Sequence, residues 1–101
     1  MLHTVNKSPF ERNSLETCLR FARKGHAILL YEDGIYAALQ GTTFESKVRA
    51  AITDCKVYVL VPDLEARGMR TDNVIEGIKP VEDYAGFVDL VVENNPVQAW
   101  L

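Results

Sequence analysis

The chain has 101 residues, enough for one small domain spanning 1–101, with 48% hydrophobic and 25% charged residues, an ordinary globular balance. Its net charge of −3, with no basic block, argues against binding nucleic acid through phosphate neutralisation. No apolar run approaches the ~20 residues of a membrane span and no secretory pattern opens the chain, so the cytoplasm is the expected compartment.

In chain order, Leu2–Val5 predicts a short strand, stopped by the polar loop Asn6-Lys7-Ser8-Pro9. Asn13 with Glu16 three residues on has the form of a capping box and predicts a helix to about Lys24, closed by Gly25 at positive φ. Ala27–Tyr31 is a continuous apolar run, as in a strand buried on both faces. Asp33-Gly34 marks a turn, with Asp33 as cap of a short helix over Ile35–Leu39. A second helix over about Glu45–Thr53 carries Val48, Ala51 and Ile52 on one face.

Lys56–Val61 predicts a third strand, bounded by Pro62. Asp63–Arg67 then predicts one or two helical turns ending at Gly68, with Arg67 complementing the helix dipole. Val74–Pro80 is ambiguous, with a short strand near Ile78. Tyr84–Glu93 predicts a helix with Phe87, Leu90 and Val91 on one face, and Val97–Leu101 a final strand or a docked tail. This alternation predicts an α/β fold, a three-layer α/β/α domain with a mostly parallel sheet. Two apolar features are large for so small a domain: the segment Ile35–Leu39 and the Trp100-Leu101 tail. Internal packing and burial against a partner both account for them.

Candidate chemistry centres on few residues. The two cysteines, Cys18 and Cys55, make neither a disulfide framework nor a CxxC pair, and are expected as free thiols. Neither combines with His3 or His26 at a metal-ligand spacing. Cys18 lies in a stripe with Leu15, Leu19 and Ala22, so helical pattern alone favours a small core residue. A reactive thiol would instead need exposure and a lowered pKa. Cys55 precedes the third strand and is expected to pack at its edge, and His3 is expected as a structural histidine within strand one. Glu32 and Asp33 fall where open α/β sheets bind ligands, although a cap and a solvated carboxylate explain them more simply. No nucleophile elbow or Ser-His-Asp arrangement appears, and the absence of a phosphate-cradling glycine loop weakens a flavodoxin-like nucleotide- or flavin-binding module.

Several blocks are more specific together than any one alone. They are Leu2-His3-Thr4-Val5-Asn6-Lys7-Ser8-Pro9-Phe10, Glu32-Asp33-Gly34-Ile35-Tyr36-Ala37-Ala38 and Tyr58-Val59-Leu60. Asp63-Leu64-Glu65-Ala66-Arg67-Gly68, Asp83-Tyr84-Ala85-Gly86-Phe87-Val88 and Gln98-Ala99-Trp100 follow. Over essentially the whole chain this pattern resembles the DsrH/TusB family of sulfur-relay subunits.

The resemblance implies an α/β/α domain in a heterohexamer with DsrE-like and DsrF-like subunits (TusD-like and TusC-like in the other branch), two copies of each. It implies sulfur passed as cysteine persulfide from a TusA-type donor to a DsrC/TusE-type acceptor, with no cofactor or metal and no direct contact with nucleic acid or membrane. TusB-branch members, which serve 2-thiolation of the tRNA wobble uridine, commonly lack a cysteine in the first helix. DsrH-branch members, tied to cytoplasmic sulfur oxidation, carry one. Cys18 occupies that position, so the resemblance implies a DsrH-like sulfurtransferase subunit with Cys18 as the persulfide-forming thiol. The alternative is a non-catalytic, TusB-like structural subunit.

Overall fold

The computed structural model describes all residues from Met1 to Leu101. Five strands form one sheet: β1 (Leu2–Val5), β2 (Ala27–Leu30), β3 (Lys56–Leu60), β4 (Lys79–Val81) and β5 (Val97–Trp100). Every pairing is parallel and the order is β4-β3-β2-β1-β5. The chain therefore steps outwards from β1 to β4 and then returns across the sheet to lay β5 on the free edge of β1. The helices are α1 (Ser14–Phe21), α2 (Glu45–Ile52), α3 (Val61–Ala66) and α4 (Tyr84–Glu93), with 3-10 turns at Glu32–Ala38 and Thr71–Asn73. No helix is long and apolar enough to cross a membrane.

The two faces of the sheet are read directly from residue parity. Val5, Ile28, Leu30, Val57 and Val59 point to one face, where they pack with Leu15 and Cys18 of α1, Val48 of α2 and Leu64 of α3. Leu2, Ala27, Leu29 and Leu60 point to the other and pack with Leu90 of α4, flanked by Phe87 and Val91. All four residues of β2 are buried, which explains its unbroken apolar run. α4 is the long helix on that second face, and it leaves Tyr84, Val88 and Val92 exposed on its outer side.

Local details depart from the sequence reading where non-local bonds compete. Asn13 makes no side-chain cap, and Glu16 reaches across to Lys47 of α2 at 2.8 Å instead of back to the helix start. α1 ends at Phe21 because Ala22 turns to extended backbone. Gly25 does take positive φ (88°), but in the turn into β2 rather than at the helix end. The Glu32–Ala38 segment is a 3-10 helix that begins earlier than predicted. Its Ile35, Ala37 and Ala38 are completely buried in the chain's own core, so internal packing accounts for that apolar run. Val61 and Pro62 belong to the first turn of α3 rather than to a strand end, a position that tolerates proline. Lys79–Val81 provides the short fourth strand, and the tail is a strand rather than a docked coil.

Candidate functional site

Cys18 sits on the inner face of α1, one turn after Leu15, and is 0% exposed. Burial pushes its thiol up to about 12, and the neighbouring Cys55 adds to the effect. At that value the thiolate fraction at pH 7 is only about 1 in 100,000, so the nucleophilic form is almost absent. No cation or helix N-terminus opposes this, because Cys18 lies past the first turn and its surroundings are apolar.

Cys55 lies just before β3 and is also buried, with its thiol pushed up by desolvation and by Asp54. Its Sγ–H donates to the Arg23 carbonyl at 3.4 Å. Cys55 lines an open groove of about 470 Å³ between α1 and α2, with Leu19, Ala50 and Ala51. The charged rim includes Arg20, Lys24 and the Glu16–Lys47 pair. Cys18 is not among the groove residues, so the two cysteines share a core cluster but not an opening to solvent.

The acidic residues at the carboxyl end of β2 form a polar tie between loops. Glu32 takes φ 47°, its N–H donates to Asp63 Oδ2 at 2.6 Å, and its Oε1 accepts from Asn6 Nδ2 at 3.0 Å. Asp33 does not cap a helix. It accepts from Arg67 Nε at 2.9 Å, while Arg67 Nη1 donates to the Asp63 carbonyl at 3.1 Å. Arg67 thus staples α3 to the Glu32–Ala38 turn through named partners, a more specific role than a diffuse dipole effect. His3 and His26, which lie far apart in sequence, meet with ring nitrogens 2.9 Å apart. That contact carries no signal in the sequence.

The family model described as DsrH like protein matches residues 7–97. The chain belongs to the DsrH family. Among curated relatives, Protein TusB of Pectobacterium parmentieri is 40% identical over 100 residues, covering 99% of this chain and all of the relative. Protein TusB of Erwinia tasmaniensis is 41% identical over 101 residues at the same coverage. The fold of this DsrH-family chain is also that of the ychN protein from E. coli, with TM-score 0.80 at 17% identity over 97% of each chain. A protein of unknown function from Methanobacterium thermoautotrophicum superposes with TM-score 0.76 at 14% identity, covering 97% of this chain and 96% of that one.

Proposed function

We propose that this chain is a structural subunit of a sulfur-relay complex of the TusB type, and that a partner subunit carries the persulfide. The observation that carries this reading is the complete burial of Cys18 with its thiol pushed up to about 12. Sulfur transfer needs a thiolate that attacks the outer sulfur of a donor persulfide nearly in line, displacing the donor thiolate. A sulfur buried in the core cluster that also holds Leu15, Ile28 and Val48 resists ionisation and is shielded from an approaching carrier. Full-length identity to proteins named TusB supports the tRNA-thiolation branch over sulfur oxidation.

The competing reading, a persulfide on Cys18 itself, requires α1 to move off the sheet in the assembled complex. Both readings meet in one experiment. The chain is co-purified with its DsrE-like and DsrF-like partners, incubated with a persulfide-loaded TusA-type carrier, and every subunit is weighed intact. The expected result is an added sulfur atom on a partner subunit, none on this chain, and unchanged loading with Cys18→Ala. A reductant-sensitive sulfur on this chain that disappears in Cys18→Ala would overturn the structural reading.

A further inference from the structure

Three rings from distant parts of the chain form one directed hydrogen-bond relay. Trp100 of β5 lies 3.0 Å from His3 Nδ1 through its Nε1, across 97 positions of sequence. His3 Nε2 lies 2.9 Å from His26 Nδ1, and the Arg23 backbone N–H also donates to His26 Nδ1 at 3.1 Å. An indole N–H only donates, so His3 Nδ1 must be the acceptor. Neutral His3 then carries its proton on Nε2 and donates it to His26. His26 Nδ1, facing two donors, must be bare. Only one proton arrangement satisfies all three bonds, and in it both imidazoles are neutral.

The relay anchors the end of β5, an edge strand with Val97, Gln98 and Ala99 exposed. From that anchor the last two residues hold both ends of α1. Trp100 stacks on Phe21 with centroids 5.6 Å apart, and the Leu101 carbonyl accepts from Ser14 Oγ at 3.3 Å. We propose that the His3–His26 pair is a proton-operated latch: protonation breaks the relay, frees Trp100, and releases β5 and its hold on α1 while the remaining four strands stay folded.

An added proton has no acceptor to go to. On His26 Nδ1 it would face the Arg23 N–H and the His3 Nε2–H; on His3 Nδ1 it would face the indole N–H. The charges around His3 oppose protonation as well. Burial lowers its pKa most, followed by His26 and then the amino terminus. No carboxylate offsets them: Trp100 is neutral, and the Arg23 guanidinium points to the carbonyls of Arg20, Phe21 and Ala22. A depressed histidine pKa means that the unfolded segment binds more protons than the folded one in acid. The latch is therefore fully closed above the ordinary histidine value of 6.5 and loosens as the pH falls from there towards the lowered value.

Trp100 is the chain's one tryptophan and so reports on the latch directly. Acrylamide quenching of its fluorescence in the full-length chain is followed from about pH 8 to about pH 5, with far-UV circular dichroism in parallel. The expected result is a rise in the quenching constant of about twofold or more, starting below the ordinary histidine range, with the dichroism held. His3→Gln, which does not titrate, should flatten the profile. Unchanged quenching over the range, a rise that coincides with loss of the dichroism, or the same profile in His3→Gln would overturn the proposal. Nitrogen-15 spectra of the wild-type histidines at neutral pH give a second test that needs no variant. Protonated Nε2 and bare Nδ1 on both rings are expected, and the opposite tautomer on His3 would exclude the relay.

Discussion

Gly34 lies directly against the Val5 carbonyl, so close that a Cβ on Gly34 would collide with the end of β1. This is why the Glu32–Ala38 turn can press Ile35, Ala37 and Ala38 into the core beside the sheet. The obstruction is backbone rather than a flexible side-chain tip, so a neighbouring rotamer change cannot relieve it. Gly34→Ala should destabilise the fold by about 2–4 kcal/mol, read as a lower urea midpoint with an unchanged slope. A variant as stable as wild type would mean that the turn does not sit against β1.

Cys18 makes stability depend on alkaline pH. Its folded-state pKa lies above the unfolded one, about 12 against 9.0, so the unfolded chain loses its proton first. The contribution is complete below pH 9.0 and declines as pH rises through the interval to about 12. At about pH 10 the loss from this group should be on the order of 1 kcal/mol. Cys18→Ala should remove that part of the decline, as measured by urea titrations at the two pH values.

Substitutions at Cys18 should rank by polarity. Alanine leaves a small cavity and should cost about 1–2 kcal/mol, whereas serine buries a hydroxyl among aliphatic side chains. Cys18→Ser should therefore be the less stable variant by about 1 kcal/mol, tempered by any bond from the hydroxyl back to the preceding helical turn. Equal or reversed midpoints would show that the site is polar or open.

The two thiols should also separate kinetically. Cys55 borders the groove between α1 and α2, and Cys18 does not. Iodoacetamide on the native chain should modify Cys55 first, with Cys18 at least about tenfold slower until denaturant is added. Peptide mapping over a time course checks the order, and early labelling of Cys18 would contradict its burial.

Asp83 closes the start of α4 by accepting the Gly86 N–H at 2.9 Å. α4 is the long helix over the second face of the sheet, so fraying there uncovers Leu29, Leu60 and Val81. Asp83→Ala should cost about 1 kcal/mol, and Asp83→Asn or Asp83→Ser much less. Thermal midpoints of the three variants test the ranking.

Much of this fold was legible because its signals are local. The apolar runs of β1, β2 and β3, the Phe87/Leu90/Val91 face of α4 and the glycine near residue 25 each follow from a few adjacent side chains. The cap at Asn13 misled for the opposite reason. Its partner Glu16 is drawn across to Lys47, a residue 31 positions away that no local pattern contains. Asp33 likewise reads as a cap until Arg67, 34 positions on, takes its carboxylate.

For this chain, the sequence by itself determined the α/β class, the order of the major elements, the family resemblance and the presence of two free thiols. Those properties depend on spacing, composition and neighbouring residues. The tertiary structure alone decided that β5 returns to the outer side of β1, that Cys18 is enclosed, and that His3, His26 and Trp100 form one relay. Each of those depends on which distant segments meet when the sheet closes. The same helical stripe that predicts a buried face cannot say how much solvent remains above a sulfur. That depends on distant members of the same core cluster, Ile28 and Val48 among them, arriving from elsewhere in the chain.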